Sequence, residues 1–128
     1  MKKVRLLVSL ASIVLSACSG KSAVLEVSDP QRPIEVTAGS EFTIVLESNP
    51  TTGYHWEIVS ELDANAVEFV KNDYVSTSAL GLVGGGGLDI WTFKAVNSGE
   101  TQVTLGYYPP SNDPVDPQQT ATFTVIVK

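Results

Sequence analysis

One cysteine and one histidine are all that the 128 residues carry of the two side chains most used in nucleophilic and metal chemistry. A single Cys18 cannot close an internal disulfide. No His/Cys cluster has metal-ligand spacing, and Cys18 is read below as a lipidation site, so no Cys/His pair is left to act. A Ser-His-Asp triad would have to use His55, which lies inside an alternating stretch, and no serine is marked as activated. The fourteen acidic residues are scattered, with nothing that pairs two of them for acid-base work. The chain is therefore not read as an enzyme, and it calls for no cofactor and no metal. It also lacks any Lys/Arg cluster, which argues against nucleic acid and anionic headgroups as partners. Helical periodicity is missing apart from one possible turn at Glu61 to Ala66, and there is no internal repeat. The apolar run Leu6 to Leu15 is too short to span a membrane as a stable helix.

That run nevertheless has a meaning. Lys2, Lys3 and Arg5 precede it and Leu15-Ser16-Ala17-Cys18 follows it, the layout of a secretory signal with small residues before a cut. "LSAC" is similar to a bacterial lipobox, in which the Cys thiol is acylated and becomes the mature N-terminus. An ordinary signal peptide with a stray Cys is the plainer alternative. The expected organisation is a lipoprotein signal over 1–17, a lipidated Cys18 and polar tether over 18–23, and one domain over 24–128. Ser19, where an Asp would hint at inner-membrane retention, favours an outer-membrane anchor in the cell envelope. Beyond residue 17 stand five basic and fourteen acidic residues, a net charge of −9. Roughly 110 residues suffice for a single modest core.

What fills this domain is period-two alternation. "EFTIVLES" sets Phe42, Ile44 and Leu46 on one face and Thr43, Val45 and Glu47 on the other. "YHWEIVS" sets Tyr54, Trp56 and Ile58 against His55 and Glu57. "LDIWTFKAV" groups Trp91, Phe93 and Ala95, with Asp89, Thr92 and Lys94 in its other positions. "TQVTLGYY" groups Val103, Leu105 and Tyr107, and "ATFTVIVK" groups Ala121, Phe123, Val125 and Val127. Alternation of this kind puts one face on a core and the other in water. Turn signals at Ala38-Gly39-Ser40, Asn49-Pro50, the glycine tract, Asn97-Ser98-Gly99 and after Tyr108 punctuate the runs. Short strands with regular breaks predict an all-β, immunoglobulin-like antiparallel β-sandwich, with Trp56 buried between sheets.

Three segments exceed what a connection needs. "NPTTGYHW" holds two threonines between its Pro and Gly, then an aromatic pair. "ALGLVGGGGLDIW" has four successive glycines, each unfavourable by roughly 0.5–1 kcal/mol in regular structure. It is no phosphate loop, since no Gly-Lys-Ser/Thr follows and a strand comes next. "GYYPPSNDPVDPQQ" is a long loop restricted by prolines, with two tyrosines at its entry. Each can be read as a strand connection alone: a turn, a floppy link, a stiffened link. Their order along the chain also fits the three loops that gather at one end of an immunoglobulin-type sandwich.

On those residues the sequence resembles the chagasin family of cysteine-peptidase inhibitors. "NPTTGYHW" matches the family's first-loop signature in full, and Gly84 to Gly87 satisfies its Gly-x-Gly-Gly motif. The third motif, a basic residue, Pro and a large aromatic, is met only by Tyr108-Pro109-Pro110. The resemblance implies an immunoglobulin-like fold and reversible, non-covalent inhibition of papain-like cysteine peptidases by a chain expected to act as a monomer. Asn49, Pro50, Thr51, Thr52, Gly53 and Tyr54 would enter the enzyme's cleft, Gly84, Gly85, Gly86 and Gly87 would flank one side, and Tyr108, Pro109 and Pro110 the other. Asn49 is expected to bond its own turn's backbone, the threonines to stand at the tip, and Tyr107 or Tyr108 to replace the missing aromatic anchor. The competing reading is an envelope-anchored binding or assembly module that kept the fold without the inhibition.

Overall fold

The computed structural model describes residues 24–78, 81 and 86–128. The signal and tether over 1–23, with Cys18, lie outside the described residues, as do Gly84 and Gly85. Eight strands run β1 (Leu25–Val27), β2 (Ile34–Val36), β3 (Glu41–Ser48), β4 (His55–Ile58), β5 (Val67–Ser76), β6 (Gly87–Ala95), β7 (Gly99–Tyr108) and β8 (Gln119–Val127). They form two four-stranded sheets, ordered β1-β3-β6-β5 and β2-β8-β7-β4. With β1 and β2 taken as the two halves of a first strand, this is the immunoglobulin order with the first strand shared between sheets. Two pairings depart from the expected antiparallel order: β1 runs parallel to β3, Leu25 opposite Phe42 and Val27 opposite Ile44, and β2 runs parallel to β8.

The sheets cover each other because each strand has one apolar face. Phe42, Ile44, Phe93 and Ala95 of the first sheet, and Ile34, Val103, Leu105, Phe123 and Val125 of the second, are fully buried. Phe42 stacks on Phe93 with ring centroids 5.5 Å apart. Burying a side chain of this size contributes about 1.5–3 kcal/mol, so these residues outweigh any surface interaction described below. The inward residues read from the sequence are buried or half-buried in all five runs. Val45 and Thr92, expected on the faces in water, are buried as well, and one residue lies on the face opposite to that expected. Asp89 shares the inward face of Trp91 and Phe93 and is buried beside them.

Three strands lie outside the five runs read from the sequence, the three-residue β1 and β2 and the ten-residue β5. In β5 the register against β6 shifts between Phe69 and Lys71, so alternation breaks midway. It is also an edge strand, exposed over most of its length. The stretch Glu61 to Ala66 contributes a turn just ahead of it, where the Ala66 and Val67 amides both donate to the Asp63 carbonyl.

Candidate functional site

Strand register brings the three unusual segments to one end. Ser48 at the end of β3 and Ser76 at the end of β5 both lie opposite Gly87 at the start of β6. In the other sheet His55, opening β4, faces Tyr108, closing β7, and Tyr107 faces Gln119 of β8. The β3–β4, β5–β6 and β7–β8 connections therefore leave the sandwich together. Between the first two lies an open depression of about 560 Å³, lined by Ser48, Asn49, Thr77, Gly86, Gly87 and Tyr107 among others.

The first loop is a single 3₁₀ turn, Pro50–Thr52, and its own side chains close it. The Asn49 carbonyl accepts from the Thr52 amide (3.2 Å) and from the Thr52 hydroxyl (2.6 Å). The Thr51 hydroxyl donates to the Asn49 side-chain oxygen. Asn49 thus differs from expectation: its side chain meets a hydroxyl, and its backbone carbonyl does the capping. Gly53 ends the turn at φ +82°, the left-handed region that side chains disfavour, and its amide donates to the Pro50 carbonyl (3.0 Å). Thr51 and Thr52 stand exposed at the tip as expected. Since both hydroxyls bond within the loop, the methyl groups and backbone are what the tip offers outward.

Below the tip the loop is fastened to both sheets. Trp56 is buried, and its indole N–H donates 3.0 Å to the Glu47 carbonyl, joining β4 to β3 across the sandwich. Tyr107 packs beside Trp56 and Tyr54, with centroid separations of 4.9 and 5.2 Å. The Asn49 amide points at the Tyr107 hydroxyl, 3.4 Å away. Of the two tyrosines expected to replace a missing anchor, Tyr107 is therefore engaged with the first loop. Tyr108 remains, half-buried and stacked on His55 at 6.0 Å.

The third loop packs against the first. A β-carbon placed on Gly53 would lie 2.9 Å from Cβ of Pro110, so the pyrrolidine ring sits directly over the glycine. Glycine is required there twice, by torsion and by contact. Pro109 lies half-buried between this contact and Tyr108. The chain returns through the Gln118 amide, which donates to the Tyr107 carbonyl (2.7 Å).

Of the glycine loop, the described end is well held. Both the amide and the hydroxyl of Thr77 donate to the Gly86 carbonyl, at 2.9 and 2.7 Å. Gly87 is buried where a β-carbon would come within 2.4 Å of the Tyr74 hydroxyl and the Val75 carbonyl. Beneath it Asp89 accepts from the Asn72 side-chain amide (2.6 Å) and the Trp91 indole (3.1 Å), tying β5 to β6. Burial pushes the Asp89 carboxyl above its ordinary range, and these two hydrogen bonds only partly offset the desolvation. Tyr74 and Asp89 are the supporting residues that sequence reading missed. A polar residue on an otherwise apolar face was the one available signal for Asp89.

The comparisons with known proteins agree with this geometry. Residues 35–127 match the family described as Chagasin family peptidase inhibitor I42. The curated protein Amoebiasin-1 of Entamoeba histolytica is 35% identical over 78 residues, 60% of this chain and 72% of that protein. Among solved structures, the cysteine protease inhibitor EhICP2 from Entamoeba histolytica superposes with a TM-score of 0.64 at 21% identity, covering 82% of this chain and 96% of that one. PbICP-C, solved in complex with falcipain-2, gives a TM-score of 0.57 at 17% identity over 82% of this chain and 98% of its own. Fold, loop placement and family match converge, and the chain belongs to the chagasin family of peptidase inhibitors.

Proposed function

We propose that this protein is a reversible, non-covalent inhibitor of papain-like cysteine peptidases that acts as a monomer, inserting Asn49 to Tyr54 into the enzyme's cleft. The observation that carries this reading is the self-closed first loop, standing at the centre of three loops that share one end of a rigid sandwich. The cysteine-peptidase target comes from relatives: EhICP2 is described as a cysteine protease inhibitor, and PbICP-C is seen with falcipain-2. A loop already held in one conformation loses little entropy on docking, which favours tight binding by a small contact. Nothing in this mode asks for a covalent step. The exposed tip fills the space above the catalytic thiol and excludes substrate. Backbone groups of the Gly84 to Gly87 segment would pair along one wall of the cleft as a substrate strand does. Tyr108, with Pro109 and Pro110 behind it, would meet the other wall.

We further propose that the mature protein is anchored through an acylated Cys18 in the bacterial cell envelope, the outer membrane being favoured by Ser19. The sequence around the cut site supports this reading.

Titration of Ser19 to Lys128 against papain and a cathepsin L-type enzyme tests the inhibition, with a Thr51→Ala/Thr52→Ala variant alongside. Sub-micromolar inhibition that weakens in the folded variant is the expected result. The binding-module alternative draws on one observation: Pro110 is turned onto Gly53 and the third loop has neither the family's basic residue nor its aromatic. Inactivity toward both enzymes at high micromolar concentration would favour that alternative.

A further inference from the structure

We infer that the anchored domain stands with its three-loop end facing away from the membrane, and so suits a diffusible peptidase rather than one seated on the same membrane surface. This rests on the acylation of Cys18 proposed above, and it adds an orientation that the motif alone does not give. Because β1 is parallel to β3, the chain enters the fold beside the start of β3, with Leu25 opposite Phe42. Val24 lies there with Thr37, Gly39, Ser40 and Glu41, around the turn that joins β2 to β3. The Gly39 amide donates to the Ala95 carbonyl and the Ala38 amide to the Lys128 carbonyl, so this is the end where β6 and β8 finish. The three candidate loops begin where β3, β5 and β7 finish. Entry and binding loops occupy opposite ends.

The separation follows from β3. Its eight residues, Glu41 to Ser48, rise about 3.3 Å each, so the loop tip stands roughly 25 Å beyond the entry. From Cys18 to Val24 there are six residue steps, at most about 20 Å of fully extended chain. An inverted domain, loops against the bilayer, would hold Val24 farther from the anchor than that chain can reach. Length alone disfavours inversion. Lying on a flank is within reach of the tether, and charge opposes it. The β1–β2 flank exposes Glu26 and Asp29 beside Arg32, with Glu35 paired to Lys128, and β5 exposes Glu68, with Asp73 paired to Lys71. The repulsion from anionic headgroups therefore comes from the net charge of −9 on the mature chain as a whole. The upright arrangement is what remains, and it lifts Thr51 and Thr52 clear of the surface.

The test uses the full chain, produced and acylated in a bacterium and reconstituted into vesicles of phosphatidylethanolamine and phosphatidylglycerol. Once Cys18 is acylated no other thiol remains, so a single new cysteine takes the dye. Ser98→Cys places it in the turn between β6 and β7, at the entry end, and Asn112→Cys in the third loop. Energy transfer to an acceptor on the lipid headgroups should be severalfold weaker from position 112 than from position 98. Equal transfer, or the reverse order, overturns the orientation. Radiolabelled palmitate incorporation, lost in Cys18→Ser, is scored on the same preparations. Its absence from the wild-type chain overturns the anchorage and this inference with it. Inhibition of soluble papain by the vesicle-bound chain should equal that by the detergent-solubilised chain. Loss of inhibition on vesicles alone counts against the outward-facing loops. Loss in both forms counts against the inhibitor reading and leaves the energy-transfer result standing.

Discussion

The first and third loops sit side by side and are stabilised in opposite ways. Asn49 to Gly53 is closed by bonds among its own residues and fastened below by Trp56 and Tyr107. The Pro109 to Gln118 loop has little of its own beyond the Ser111–Asp113 contacts, and leans on its neighbour through Pro110. A loop that supports itself can keep its shape while the surrounding surface changes. One that leans on another must follow it. This suits a short wedge of fixed shape beside a longer, adjustable flank.

The largest effect is expected at Trp56. Trp56→Ala should destabilise the domain by about 3–5 kcal/mol, since it removes a buried indole and its link to the Glu47 carbonyl. Urea unfolding reads this directly. Inhibition should fall even under conditions where the variant is still folded, because the exit of the first loop is then unclamped.

Gly53 tests whether the third loop truly leans on the first. Gly53→Ala forces a β-carbon into both an unfavourable torsion and the Pro110 ring, an expected loss of about 1–3 kcal/mol. Pro110→Gly should recover the part that comes from the clash and leave the torsional part. A double-mutant cycle on stability therefore gives a positive coupling between residues 53 and 110, and an additive cycle would mean the two loops are independent.

A smaller effect is expected at Thr52→Val. This variant keeps the methyl group and loses a hydroxyl that donates to the Asn49 carbonyl and lies 3.5 Å from the Tyr54 amide. A cost of about 0.5–1.5 kcal/mol in stability follows from one hydrogen bond. If the hydroxyl's work is internal, inhibition should drop through a slower association with a more mobile loop. A faster dissociation at unchanged association would instead place that hydroxyl against the enzyme.

The smallest effect concerns the glycine loop's foundation. The Asp89 carboxyl holds its proton more readily in the folded protein than in the unfolded chain, whose value is near 3.8. Across the interval from there up to the raised folded value, the folded state binds more protons, so its stability declines as pH rises. Asp89→Asn removes that slope. Urea midpoints of both proteins, followed from about pH 3.5 to about pH 7, should converge or diverge only within this interval.

What could be read without coordinates depended on how locally each feature was encoded. Five strands were legible because their inward residues recur at every second position. β5 was not, since the extra residue between Phe69 and Lys71 resets the alternation and an edge strand keeps polar groups on both faces. The first loop was legible from its residue types, while the inward side of the third was not. That Pro110 rests on Gly53 depends on two segments 57 positions apart meeting in space, and no spacing rule announces it. The raised carboxyl at Asp89 was hidden for a related reason, since its partners Asn72 and Trp91 come from two strands, one of them unrecognised.

The bond from the Trp56 indole to the Glu47 carbonyl spans the stems of the first loop, one residue before Ser48 and one after His55. A ring of ten residues is thereby shut by the protein's interior and not by a covalent staple. The shape of the wedge belongs to the sandwich as a whole, so a linear peptide copying Ser48 to Trp56 would spread over many conformations and lose most of its potency.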